Sequence, residues 1–208
     1  MRWKETVTNR YTPAWARIIA VGVMVAAVVA MAPPVANGAA LGGKWATPTY
    51  TYYRNVGTYS DYSSPAAGAA AAWTNNTKFY VALGSVGSQV FYNVSNYGVT
   101  DWFGIGEPAP NVTSGTYTYG SIRVNAGWLN TRHFNCASPG ATSCAYAADN
   151  ANQKQCVSAH EMGHVIGLAH TDATTNKIMN IDHGARCHTK ALTGPTTGDA
   201  ADVKAIYP

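Results

Sequence analysis

Short stretches of alternating polar and apolar residues give way, near residue 150, to a longer helical period. Residues 47–56 (TPTYTYYRNV) interleave Thr with aromatic side chains, a composition that suits a pleated, half-buried strand. In residues 64–73 (SPAAGAAAAW) Ser64 can cap, Pro65 suits the first helical position and alanines fill the body, so a helix is predicted. Residues 78–83 (KFYVAL) and 89–94 (QVFYNV) predict two more strands, the first ending at a glycine turn. From 98 to 119 no period survives among Gly, Pro, Asn and aromatics, which predicts loop with short strand pieces. Ile122 and Val124 alternate with polar neighbours in 121–125 (SIRVN), a short strand, and 132–149 predicts a loop carrying two cysteines. The long helix starts near Asn150, whose side chain can cap with Gln153 three residues on, and runs to about Leu168. Residues 197–207 (TGDAADVKAIY) predict a last helix with Ala200, Val203 and Tyr207 on one face. Strands and a helix followed by two helices make an α+β domain, its mixed sheet mostly N-terminal and the long helix packed beside it.

The N-terminus follows a different pattern. Arg2, Lys4, Arg10 and Arg17 lead into an apolar run of 15 residues, Ile18 to Ala32, with small residues at Ala36, Gly38, Ala39 and Ala40. This is the layout of an export signal over residues 1–38, with cleavage near 38–40. A membrane span needs about 20 apolar residues, and Pro33-Pro34 ends this run early, so no stable membrane anchor is expected. Residues 39–208 are then one domain, since a chain of 208 residues, 47% hydrophobic, suffices for one core.

Export also changes how charge and cysteines read. Of 14 basic and 10 acidic residues, four basic ones and Glu5 leave with the leader, so the remainder carries ten against nine, or +1. No basic patch argues for nucleic acid. Cys136, Cys144, Cys156 and Cys187 are an even set in an oxidising compartment, which predicts two disulfides with three pairings open. Pairing of neighbours is preferred, Cys136 with Cys144 and Cys156 with Cys187, the second closing a loop of about 30 residues for a few kcal/mol. None of the spacings is the Cys-x-x-Cys of a zinc pair.

The chemistry concentrates in residues 160–170 (HEMGHVIGLAH). Residues four apart on a helix lie about 40° apart around the axis and about 6 Å along it, so His160 and His164 present two imidazoles to one point. Glu161 follows the first of them, where a carboxylate can act as base without filling a ligand position. On a continued helix His170 would sit about 15 Å further along and some 80° away. The helix must therefore end, and Gly167 is placed to end it in a left-handed conformation that swings His170 under the other two. By chance these fixed positions recur on the order of once in 10⁵ chains of this composition. A structural zinc site usually has four protein ligands, whereas this one offers three and leaves a position for water.

This stretch resembles the extended zinc motif of the metzincin metalloproteases, and Ile178-Met179-Asn180 lies where that family places its Met-turn. HEMGHVIGLAHT and the closing DAADVKAIY are similar to the matrixins, over roughly residues 157–207. The resemblance implies a zincin-like twisted mixed β-sheet with an N-terminal helix, an active-site helix and a C-terminal helix. It implies catalytic Zn²⁺ on His160, His164 and His170, Glu161 as catalytic base and Met179 beneath the metal. The chain departs from the family in lacking a Pro-Arg-Cys-Gly cysteine switch and the Pro-x-Tyr stretch after the Met-turn, which puts latency by that route and specificity in doubt. The calcium and second zinc sites of vertebrate relatives fall on no named residues of this chain. Asp172 is a weaker alternative third ligand, and His133, His183 and His188 read as surface or loop histidines. Asn75, Asn93 and Asn111 each begin an Asn-x-Ser/Thr triplet.

The expectation is a secreted, monomeric zinc metalloendopeptidase with polypeptide substrates, in which Glu161 takes a proton from water and later gives it to the leaving amine. A strand such as 121–125 could bind an extended peptide along an edge. Two rivals stay open: a secreted adhesion domain that keeps zinc for stability, and a zinc amidase acting on cell-wall material.

Overall fold

A computed structural model of the chain describes residues 40–98, 100–111, 114–129 and 149–208. The leader, His133, and the proposed Cys136–Cys144 bridge lie outside the described residues. What is described is an α+β unit: a five-stranded mixed sheet, a two-stranded parallel ribbon and helices packed on them.

Strand β1 (Gly43–Trp45) precedes β2 (Thr49–Asn55), in which the Thr/Tyr alternation works as expected: Tyr50 and Tyr52 are buried, and their neighbours are half-buried. A 3₁₀ turn at Ser60–Tyr62 feeds directly into helix α1 (Ser63–Asn76). Ser64 is therefore not the cap. Tyr62 occupies that place without a side-chain cap bond, because the preceding turn already sets the helical path. The alanines do more than favour a helix: Ala66, Ala69 and Ala70 are buried, and their small size lets the backbone of α1 approach its neighbour closely.

Strand β3 (Tyr80–Leu83) and β4 (Val90–Ser95) pair in parallel with β2 on its two sides. Next comes β5 (Gly104–Ala109) in a region whose sequence predicted mostly loop, then β6 (Gly115–Tyr117), which pairs with β1. Strand β7 (Tyr119–Asn125) runs parallel to β4, and β5 lies antiparallel along its other side, with Gly106 opposite Ile122. The order β3-β2-β4-β7-β5 makes β7 an interior strand. Edge addition of a peptide at 121–125 is thus ruled out, since both sides of that strand are already paired; the edges are β3 and β5.

A single turn, α2 (Ala126–Leu129), ends the strand run, and helix α3 (Ala151–Ile166) follows in the next described stretch. It is buried over most of its length, between α1 on one side and β5 and β7 on another. Two hydrogen bonds fix the contacts: Trp73 Nε1 donates to Ala159 O at 2.8 Å, and Tyr92 OH bonds Ser158 Oγ at 2.8 Å. Helix α4 (Thr197–Ile206) closes the chain with a Thr196/Asp199 capping box. Its inner face holds Val203 and Tyr207 as expected, but Ala200 is only half-buried, and Asp199 and Asp202 share the interior. No described helix is long and apolar enough to cross a membrane.

Candidate metal centre

Helix α3 begins with the Asn150/Gln153 capping box that its sequence predicts, Gln153 N–H donating to Asn150 Oδ1 at 3.1 Å. It ends at Gly167, with φ 116° and ψ 14°. Leu168 N–H donates to Gly163 O at 3.0 Å and Gly167 N–H to His164 O at 2.9 Å, the paired bonds of a Schellman termination. The remaining carbonyls of that end find distant donors: Trp45 Nε1 to Val165 O at 2.8 Å, Tyr207 OH to Ile166 O at 2.7 Å, and Leu41 N–H to Gly167 O at 2.8 Å. A helix end otherwise leaves such acceptors unsatisfied. Here they anchor the reversal.

The reversal brings the third histidine home. Nε2 of His160 lies 3.1 Å from Nε2 of His170 and 3.2 Å from Nε2 of His164, and the latter two are 3.1 Å apart. His160 Nδ1 donates to Ile178 O at 2.7 Å and His164 Nδ1 to Leu168 O at 2.8 Å. A carbonyl can only accept, so both protons sit on Nδ1 and each Nε2 of the neutral rings is a bare lone pair. Burial, with the Arg186 cation and the neighbouring imidazoles, holds His160 well below the usual 6.5; burial lowers His164 to about 4 and lowers His170 as well. Protonation is thus disfavoured as a relief for lone pairs facing one another. A cation relieves it, and nitrogens at this spacing fit an ion about 2.0–2.1 Å from each, with N–metal–N angles of about 100°, near tetrahedral. His160 is buried and His170 exposed, so the group opens toward solvent on one side.

Met179 lies against the helix that carries His160 and His164. A Cβ at Gly163 would meet Met179 Sδ at 2.3 Å, so the glycine makes room for the sulfur one residue before His164. The Ile178-Met179 turn hangs from Asp199, which is fully buried and accepts from Ile178 N–H at 2.9 Å and Met179 N–H at 3.3 Å. The Asp199 carboxylate also accepts from Thr196 N–H at 2.8 Å. One buried carboxylate thereby caps α4 and holds the Ile178-Met179 turn. The signal for it was legible, Thr196-x-x-Asp199 being a capping-box spacing, but its second task was not.

Glu161 is buried against β5. A Cβ at Gly104 would come within 2.8 Å of Glu161 Oε1, and one at Gly106 within 2.1 Å of Glu161 O. Burial raises its carboxyl to about 7, while the Arg186 cation and a hydrogen bond from the Gly106 backbone pull the other way. Arg186 is itself buried, donating from Nη1 to Asn180 O at 2.7 Å and Ile181 O at 3.2 Å, and so braces the chain just after Met179. Nothing in the local sequence marks it.

The other expectations divide. Cys156 and Cys187 are bonded, across 31 positions. Asp172 is exposed and stands outside the histidine group. His183 and His188 are not surface histidines: their side chains are 10% and 12% exposed, and with Asp149 they form a second cluster of metal-ligand type. Both clusters contain imidazoles and neither is the all-oxygen set that calcium prefers. No protein-family model and no curated protein matches this chain.

Proposed function

We propose that this protein is a secreted zinc metalloendopeptidase of metzincin, matrixin-like type. The observation that carries the reading is the set of three Nε2 atoms at 3.1–3.2 Å, two of them locked as bare acceptors by carbonyl partners, with a buried carboxylate on the next residue. His160, His164 and His170 would hold the zinc, whose chemistry is that of a Lewis acid, polarising a carbonyl and acidifying water. Ile178 O and Leu168 O keep two of the imidazoles in the ligating tautomer. Three ligands and an open side suit catalysis better than a closed structural site.

Glu161 accepts the proton of the attacking water and returns it to the departing amine. In the metal-free site burial holds this carboxyl up at about 7; a zinc ion bound beside it would draw it down toward the ionised form that a proton acceptor needs. The Gly106 amide orients that carboxylate, and the absence of side chains at Gly104 and Gly106 lets β5 run close over it. An extended polypeptide added along β5, the edge strand that lies against Glu161, would pass beside that carboxylate, which favours peptide substrates over small amides.

Glu161→Ala in the purified mature protein should keep one zinc at the triad and lose casein cleavage by on the order of 10²–10⁴-fold. Chelation should abolish cleavage by the native protein, and zinc should restore it. Ordinary turnover by the variant would remove Glu161 from the mechanism. A zinc-loaded native protein that leaves polypeptides intact would overturn the endopeptidase reading altogether.

A further inference from the structure

Apart from the triad, one other group of metal-ligand side chains converges among the described residues: Asp149, His183 and His188. Asp149 immediately precedes the cap of α3. His183 caps the π-helical turn Gly184–Thr189 and His188 lies within it, and a turn of i→i+5 type carries residues five apart back to one side. Nε2 of His188 is 3.2 Å from Nε2 of His183, the spacing found in the first triad. The two nitrogens face the two oxygens of one carboxylate, His188 at 3.3 Å from Asp149 Oδ1 and His183 at 3.6 Å from Oδ2. The carboxylate side chain is 0% exposed. Two imidazoles and a buried carboxylate sharing a point less than 5 Å across are a ligand set for a borderline divalent ion.

We propose that Asp149, His183 and His188 form a second site for a divalent transition-metal ion of the zinc class, separate from the triad and joining the start of α3 to the π turn. Phe103 stacks on His183 with ring centroids 4.1 Å apart and planes at 22°, which holds that imidazole against rotation. Gln153 sits 2.8 Å from His188 Nδ1 and sets the other ring. Ligation through His188 Nε2 makes Nδ1 the donor, so the Gln153 amide turns its oxygen toward the ring. That releases the Asn150 N–H, whose bond to Gln153 Oε1 is at an exposed position where water can replace it. The disulfide Cys156–Cys187 joins the same two segments, with Cys187 adjacent to His188. The ion and the disulfide therefore act in parallel on the turn that carries Arg186.

The proposal does not depend on proteolysis. After equilibration with excess zinc and gel filtration, native mass spectrometry of the folded secreted protein should find two zinc ions per chain. His183→Ala/His188→Ala should hold one, and so should His160→Ala/His164→Ala. In the latter background, cobalt(II) should give a visible absorption band that Asp149→Asn abolishes. This background decides the matter even if the first double variant fails to fold. One zinc in the native chain, two in His183→Ala/His188→Ala, or none in His160→Ala/His164→Ala would each overturn the second site.

Discussion

In the proposed mechanism Glu161 is under two opposing demands: it must be ionised to take a proton, yet it is buried against β5, where charge is costly. Burial raises its carboxyl from the usual 4.5 to about 7. Below 4.5 both folded and unfolded chains hold that proton. Between 4.5 and about 7 the unfolded chain releases it and the folded chain keeps it, so this group's contribution to stability declines as pH rises and is gone above about 7. Gln cannot ionise. In the metal-free protein, Glu161→Gln should therefore gain stability relative to the native chain between pH 5 and pH 8, by on the order of 2 kcal/mol. Thermal melts of the two proteins in chelator across that range test it, and parallel curves would show that the carboxylate is not paying for its burial. At this scale the sequence was informative about His160, Glu161, His164 and His170. It was silent on Arg186 and Asp149 and read His183 and His188 wrongly as surface or loop residues, because a histidine in a loop carries no mark of where that loop packs.

At the scale of elements, α3 and its termination were legible because caps and reversals are local events. Asn150 with Gln153 starts the helix and Gly167 ends it, within two residues of expectation. A side chain at Gly167 would have to adopt φ 116° and would meet Gly43 O at 3.2 Å and Tyr117 Cε2 at 3.4 Å. Gly167→Ala should cost about 1–2 kcal/mol and, by displacing His170, should speed the loss of zinc to a chelator; an unchanged melting point and zinc off-rate would detach the glycine from the site. Strand β5 was illegible for the converse reason. Its glycines, which depress any strand signal, are required where the strand lies against Glu161, and that requirement comes from a helix some 55 residues away in sequence.

Across the whole molecule, the segment after the triad is fastened at several points. Asp199 holds the Met179 turn, Lys177 pairs with the buried Asp202 at 2.6 Å, and the disulfide ties the π turn to α3. The disulfide spans 31 positions, and a loop of that length corresponds to roughly 3–4 kcal/mol of chain entropy. Cys156→Ser/Cys187→Ser should lower the thermal midpoint by roughly 10 °C, measured by calorimetry in the presence of zinc. An unchanged midpoint would mean that packing and metal ligation alone hold the turn.

What the amino-acid order determined by itself was whatever lies within a turn or two of chain: the helical pairing of His160 with His164, the reversal that delivers His170, the capping boxes and the alternating strands. These follow from backbone geometry and nearest-neighbour hydrogen bonding, which do not wait for the rest of the molecule. Only the tertiary structure decided that β5 rather than β7 forms an edge, that Asp199 supports Met179, and that Asp149 meets two histidines more than thirty residues away. Those contacts join segments with no periodic relation, and they exist because burying α3 on several sides at once forces unrelated side chains into the same small volume.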